Sequence, residues 1–84
     1  MNTVVWSKTN CPHCEQAKTL LKNHDIAFEE RKIGEGWGKE QLLEAVPTAR
    51  SVPQIFLYGK YIGGYAELDN YLQETNLGST EGKL

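Results

Sequence analysis

The sequence predicts an α/β fold: a four-stranded mixed sheet with three helices, in the order β-α-β-α-β-β-α. Three observations predict it. Short β-branched and aromatic runs alternate with stretches whose apolar residues recur every three or four positions. The chain opens with a strand–helix–strand unit, and the right-handed crossover such a unit needs makes its two strands parallel. A glycine between two later apolar runs marks a hairpin, which adds two antiparallel strands.

Thr3-Val4-Val5-Trp6 reads as a buried first strand. A loop over Ser7–Asn10 follows. Cys14, Ala17, Leu20 and Leu21 then form one apolar stripe of a helix from about Pro12 to Asn23. Pro12 suits the first turn, where its missing N–H removes no hydrogen bond. Ile26–Ile33 reads as a second strand, and Glu29, Glu30, Arg31 and Lys32 mark it as a charge-guarded edge. Gly34, Gly36 and Gly38 make a loop around Trp37. A second helix from about Lys39 to Val46 is expected to bury Leu42, Leu43 and Val46, with Pro47 stopping it. Gln54–Tyr58 and Tyr61–Gly63 form the hairpin, with Gly59-Lys60 as its turn. A last helix, about Ala66 to Asn76, is expected to bury Leu68, Tyr71 and Leu72. Residues 1–77 thus make a single domain, and 78–84 a polar tail expected to be disordered. Trp6 belongs in the core; Trp37 reads equally as loop packing or as partner surface.

Composition narrows the function classes. The apolar fraction of 39% and charged fraction of 24% are those of an ordinary globular domain. Net charge is −2 and no basic cluster occurs, which speaks against a nucleic-acid partner. No apolar run approaches the roughly 18–20 residues that span a bilayer. The opening MNTVVWSKTN lacks the basic-then-apolar pattern of a leader, so the expected compartment is a reducing cytoplasm.

The chemistry lies in Cys11-Pro12-His13-Cys14. Such a pair can staple, hold a metal or exchange electrons. A Cys11–Cys14 staple would close a tiny loop, and structural disulfides are rare in reducing compartments. Zinc needs four ligands; this chain has two cysteines and two histidines, with His13 inside the pair and His24 reading as a solvated helix end. No metal site is therefore expected. Electron exchange fits the position. At a strand-to-helix junction, Cys11 stands where free N–H groups and the helix dipole favour its thiolate. Cys14, one turn in, can attack a mixed disulfide formed on Cys11. Ser51-Val52-Pro53 is a second signal, reading either as a plain strand start or as a cis proline facing the cysteines.

WSKTNCPHCEQAKTLL, SVPQIFLYGKYIGGY and the element order together resemble a glutaredoxin of the thioredoxin fold, over roughly residues 3–77. The resemblance implies a glutathione-dependent oxidoreductase of the dithiol type. It would reduce protein disulfides and glutathione mixed disulfides, with glutathione as co-substrate and no tightly bound cofactor. Cys11 is then the nucleophile and Cys14 the resolving cysteine. His13, Pro12 and Lys8 tune the thiolate. Lys8, His13, Val52, Pro53, Gly64, Tyr65, Ala66 and Glu67 bind glutathione: Val52 through its backbone to the cysteinyl part, and the start of the last helix to the γ-glutamyl carboxylate. Gly63 and Gly64 permit close backbone approach. The second helix supplies a polar contact from among Lys39, Glu40 and Gln41. The implied partners are disulfide-containing or glutathionylated proteins, ribonucleotide reductase among them, with the chain acting as a monomer.

Departures from the family pattern bear on this. His13 stands where a tyrosine is usual, and Tyr65-Ala66-Glu67 where a small polar residue and an aspartate are common. Glu67 keeps the charge for the glutathione amine, one methylene longer. Cys-Pro-His-Cys is also the active-site sequence of the DsbA-type disulfide oxidants, with potentials near about −120 mV against roughly −200 to −230 mV for glutaredoxins. A partly cationic His13 beside Cys11 would move the potential that way. Disulfide exchange without glutathione, thioredoxin-like or DsbA-like, is therefore an alternative function. An iron–sulfur carrier using Cys11 and external glutathione is another.

Overall fold

The computed structural model describes residues 2–80, with side chains through Gln73. Four strands, β1 (Val4–Ser7), β2 (Glu29–Lys32), β3 (Gln54–Leu57) and β4 (Lys60–Gly63), form one sheet in the order β2-β1-β3-β4. β1 pairs parallel with β2, while β1–β3 and β3–β4 are antiparallel. The helices are α1 (Pro12–Asn23), α2 (Lys39–Ala45) and α3 (Tyr65–Thr80). Element order, mixed sheet and helix count are as the sequence predicts, in a thioredoxin-like fold.

Alternation along β1 divides the core in two. Val5 faces α1 and α3 and packs with Ala17, Leu21, Ile55, Leu57, Leu68 and Leu72. Val4 and Trp6 face the other way and pack with Leu42 and Val46, with Trp37 and Phe56 partly buried against them. Trp6 is core, as expected. Trp37 takes the loop-packing role: its ring meets Trp6 edge-on at 5.4 Å, and the Arg31 guanidinium lies 4.4 Å from its centroid.

Several boundaries shift, each for a physical reason. Only Glu29–Lys32 is in register with β1, with the Ile33 N–H donating to Ser7 O just beyond, so the second strand is shorter than Ile26–Ile33, although its place at the charged edge holds. The hairpin turn is Tyr58-Gly59, not Gly59-Lys60, and both residues have positive φ (51° and 86°). That pair of angles follows the twist of the strands. Thr3 Oγ1 accepts the Tyr58 N–H at 3.1 Å, and Asn2 O accepts the Gly59 N–H at 2.9 Å, tying the turn to the start of β1. Leu43 is half-buried, not core. Tyr71 is 36% exposed, and the Lys60 ammonium lies 5.6 Å from its ring, so it covers the surface of α3 and does not fill the core. α3 begins at Tyr65 and continues to Thr80. It therefore takes in 78–80 of the expected tail, because the single Gly78 weakens a helix by about 1 kcal/mol without stopping it. Residues 81–84 lie outside the described residues.

Candidate active site

Cys11 is the N-cap of α1, with extended backbone angles, and Pro12 opens the helix. The Cys14 N–H points at Cys11 Sγ, 3.2 Å away. A sulfur in this position receives a helix-terminal N–H directly, the arrangement that stabilises a thiolate. Cys11 and Cys14 are joined in a disulfide, with Cα atoms 5.2 Å apart. Both are buried, Cys11 at 8% exposure and Cys14 at 0%, so the outer sulfur belongs to Cys11. Cys11 Sγ also lies 3.7 Å from Val52 O. A disulfide sulfur has no proton to donate, so this contact becomes a hydrogen bond only in the thiol form.

The Val52–Pro53 peptide bond is cis, which is the sharper of the two readings of Ser51-Val52-Pro53. Gln54 holds the loop from behind. Its Nε2 donates to Ser51 O at 2.9 Å, and its Oε1 accepts the Tyr61 hydroxyl proton at 2.6 Å. Neither Gln54 nor Tyr61 stood out in the sequence, because the pair meets only across the hairpin.

His13, Val52, Pro53, Gly64, Tyr65, Ala66 and Glu67 line one pocket of about 250 Å³ beside the disulfide, and Ser51 joins them. Seven of the expected glutathione-binding residues are thus brought together. The eighth, Lys8, lines a neighbouring cleft that shares Val52. The His13 ring is exposed and stacks on Tyr65, with centroids 6.1 Å apart and planes 16° from parallel. Glu67 Oε1 accepts the Gly64 N–H at 2.9 Å, capping α3 in place of the side-chain cap that Ala66 cannot offer. Gly63 has φ of 122°, and a Cβ there would come within 3.0 Å of Glu67 Cγ. The positive φ favours glycine, and a side chain there would also displace Glu67.

A polar cluster that sequence reading missed lies under α1. Lys18 Nζ donates to Glu30 Oε2 at 2.8 Å and lies 3.0 Å from Glu15 Oε2, while the buried Ser7 hydroxyl donates to Glu30 at 2.6 Å. Burial opposes the Lys18 charge, but Glu30 and Glu15 outweigh it and hold its pKa above the ordinary lysine value. Burial likewise opposes the Glu30 charge. Hydrogen bonds from Lys18 and Ser7 outweigh it and hold the carboxyl below the ordinary range. Among the described residues no group of three or more His, Cys, Asp or Glu is placed to hold a metal ion.

With this geometry in view, comparison with known proteins decides the family. The glutaredoxin family model matches residues 3–62. The chain belongs to the glutaredoxin family. It is similar to glutaredoxin 3 of Escherichia coli, at 33% identity over 80% of this chain and 81% of that one. It is also similar to glutaredoxin-C4 of Arabidopsis thaliana, at 35% identity over 73% of this chain and 47% of the relative. The chain spans about half the length of that plant relative. Among glutaredoxin structures, a buckwheat glutaredoxin–glutathione complex superposes with a TM-score of 0.72 at 27% identity, over 92% of this chain and 73% of that one. The family's chemistry is thiol–disulfide exchange, and the spacing of Cys11 and Cys14 fits its active site.

Proposed function

We propose that the protein is a glutathione-dependent thiol–disulfide oxidoreductase that reduces protein disulfides and glutathione mixed disulfides. The observation that carries this reading is Cys11 Sγ at the N-terminus of α1, facing Cys14 N on one side and Val52 O on the other. After reduction, the Cys11 thiolate attacks a substrate sulfur. A Cys11–substrate disulfide forms, and the old partner leaves with the electron pair. Cys14, or a glutathione thiolate, then attacks Cys11 Sγ and frees the reduced substrate.

In this reading glutathione lies along Val52, pairing its cysteinyl backbone with that residue. Its γ-glutamyl end meets Tyr65, Ala66 and Glu67, and its glycyl carboxylate meets Lys8. Of the three α2 candidates for a further contact, Gln41 is engaged, since its Oε1 accepts the Gly38 N–H at 2.7 Å. Lys39 lines the cleft with Lys8, and Glu40 does not line it. Lys39 is therefore the proposed α2 contact. His13, Pro12 and Lys8 set the potential of Cys11. Ribonucleotide reductase is one proposed electron acceptor, and a reducing cytoplasm the proposed setting.

The test is turnover of the hydroxyethyl–glutathione mixed disulfide by glutathione and glutathione reductase. Sustained turnover is expected. Its absence, with recharging by thioredoxin reductase instead, would move the protein to a glutathione-independent donor. Cys14→Ser should retain deglutathionylation and lose most protein-disulfide reduction; loss of both would undo the division of roles. Activity surviving in Cys11→Ser would remove Cys11 as the nucleophile.

A further inference from the structure

Beside the disulfide, on the α2 side, is a cleft of about 630 Å³. Val52 lines it, and the Val52 carbonyl is 3.7 Å from Cys11 Sγ, so an occupant of the cleft sits next to the reacting sulfur. Leu42 and Leu43 line its apolar part. Lys8, Lys39 and Arg50 line it too, all three exposed, and no acidic side chain does. Among the described residues none of these three cations has an ion-pair partner. The chain as a whole carries −2, so the cleft locally reverses the charge of the molecule. On the other flank of the disulfide the pocket wall carries Glu67. A bound chain is thereby oriented, with its acidic part toward α2 and its amine or basic part toward α3.

The tripeptide reading uses Lys8 and Lys39 for one terminal carboxylate. Arg50 and the apolar surface of Leu43 remain without an occupant. We propose that this cleft binds the segment following the oxidised cysteine of a protein substrate, an extended stretch with an acidic residue and then an apolar one. The direction rests on the glutathione orientation proposed above, which sends the C-terminal side of the substrate cysteine toward α2. In an extended segment consecutive side chains point to opposite sides and advance about 3.3 Å per residue. One side chain can therefore meet the cationic rim while its neighbour meets the apolar floor. The reaction is the ordinary exchange: a bond forms between Cys11 Sγ and the substrate sulfur, the substrate's former S–S bond breaks, and the departing thiolate carries away the electron pair.

The experiment uses reduced Cys14→Ser protein, in which the Cys11–substrate disulfide persists. The probes are the peptides acetyl-Ala-Cys-Glu-Leu-amide and acetyl-Ala-Cys-Lys-Leu-amide, each as its mixed disulfide with thionitrobenzoate, whose coloured thiolate is released by the attack. The glutamate peptide is expected to react roughly 5- to 10-fold faster at low ionic strength, with the advantage shrinking as salt screens it. Arg50→Glu in the same background should bring the two rates to near parity, and Arg50→Lys should keep most of the preference. Arg50→Glu in the otherwise unaltered protein should slow turnover of the hydroxyethyl–glutathione disulfide clearly less than it slows the glutamate peptide, since the glycyl carboxylate keeps Lys8 and Lys39. Equal peptide rates in the starting protein overturn the proposal, as does a preference that Arg50→Glu leaves intact. An equal loss on the small glutathione disulfide also overturns it, because the cleft would then serve the tripeptide alone. A peptide preference that responds to Arg50, in a protein without glutathione-dependent turnover, would support the cleft while sinking the glutathione reading.

Discussion

At Glu67 one extra methylene has a visible consequence. The side chain folds back over Gly63 and places Oε1 on the Gly64 N–H, so the carboxylate is engaged before any ligand arrives. In the proposed glutathione site it must share or release that bond to meet the tripeptide's ammonium. Glu67→Asp is therefore expected to lower KM for glutathione a few-fold with kcat unchanged. Glu67→Gln should raise KM about tenfold, because a hydrogen bond to a charged group contributes about 1.5–3 kcal/mol. Equal KM values across the three proteins would remove Glu67 from the binding site. His13 offers a second test at this scale. Its ring packs on Tyr65, and a tyrosine at 13 would keep the stacking surface while removing the imidazole. Equilibration of His13→Tyr with a glutathione redox buffer should show a more reducing disulfide, by roughly 30 mV for a tenfold change in the exchange constant. An unchanged potential would mean that His13 does not tune Cys11.

Among the elements, α1 and β2 are joined by charge as well as by packing. The Lys18–Glu30–Ser7 contacts give a pH signature whose sign follows from the two shifts. Glu30 has a depressed pKa in the folded chain, so its contribution is present above the unfolded carboxylate value and is lost as pH falls through the folded one. Lys18 has a raised pKa, so its contribution is complete below the unfolded lysine value and disappears only at strongly alkaline pH. Denaturant melts should accordingly lose stability below about pH 4, and Glu30→Gln should flatten that limb. An acid limb equally steep in Glu30→Gln would assign it to other carboxylates. The β3–β4 turn gives an opposite prediction. Tyr58 holds φ at 51° and is 55% exposed, so it carries a left-handed cost with little burial to offset it. Tyr58→Asn creates the Asn-Gly pair that this turn favours and should stabilise by about 0.5–1 kcal/mol in denaturant melts. Destabilisation would show that the Tyr58 ring packs usefully against its surroundings.

Over the whole molecule, the core has little redundancy. Leu21 is fully buried between α1 and the sheet, and Leu21→Ala should cost about 2–5 kcal/mol of a total near 5–15 kcal/mol. Calorimetry should show Tm lower by at least about 10 °C; a drop of a degree or two would mean that the cavity collapses. The order of elements was legible because the period of the apolar residues changes from two to three or four at each boundary. The cysteine pair was legible because its geometry is local to one helix turn. Contacts between distant positions were not. Lys18 and Glu30 meet only once the parallel register of β1 and β2 is set, and Gln54 meets Tyr61 only across the hairpin. The turn was misplaced by one residue because a tyrosine accepts positive φ where glycine was expected to lead. Tyr71 shares the spacing of Leu68 and Leu72 but sits at the margin of their stripe, where it is 36% exposed and the Lys60 ammonium lies over its ring.

The sheet also separates two tasks that could evolve independently. On one face Val5, Ala17, Leu21 and Leu68 keep α1 and α3 in place. On the other, Trp6 and Val4 carry α2 on a smaller cluster of their own. Changes to the exposed Arg50 would leave the first face untouched. Client preference could then be rewritten while the electron-exchange machinery is inherited whole, and a designer could retarget the protein from the α2 side without repacking a single residue around Cys14.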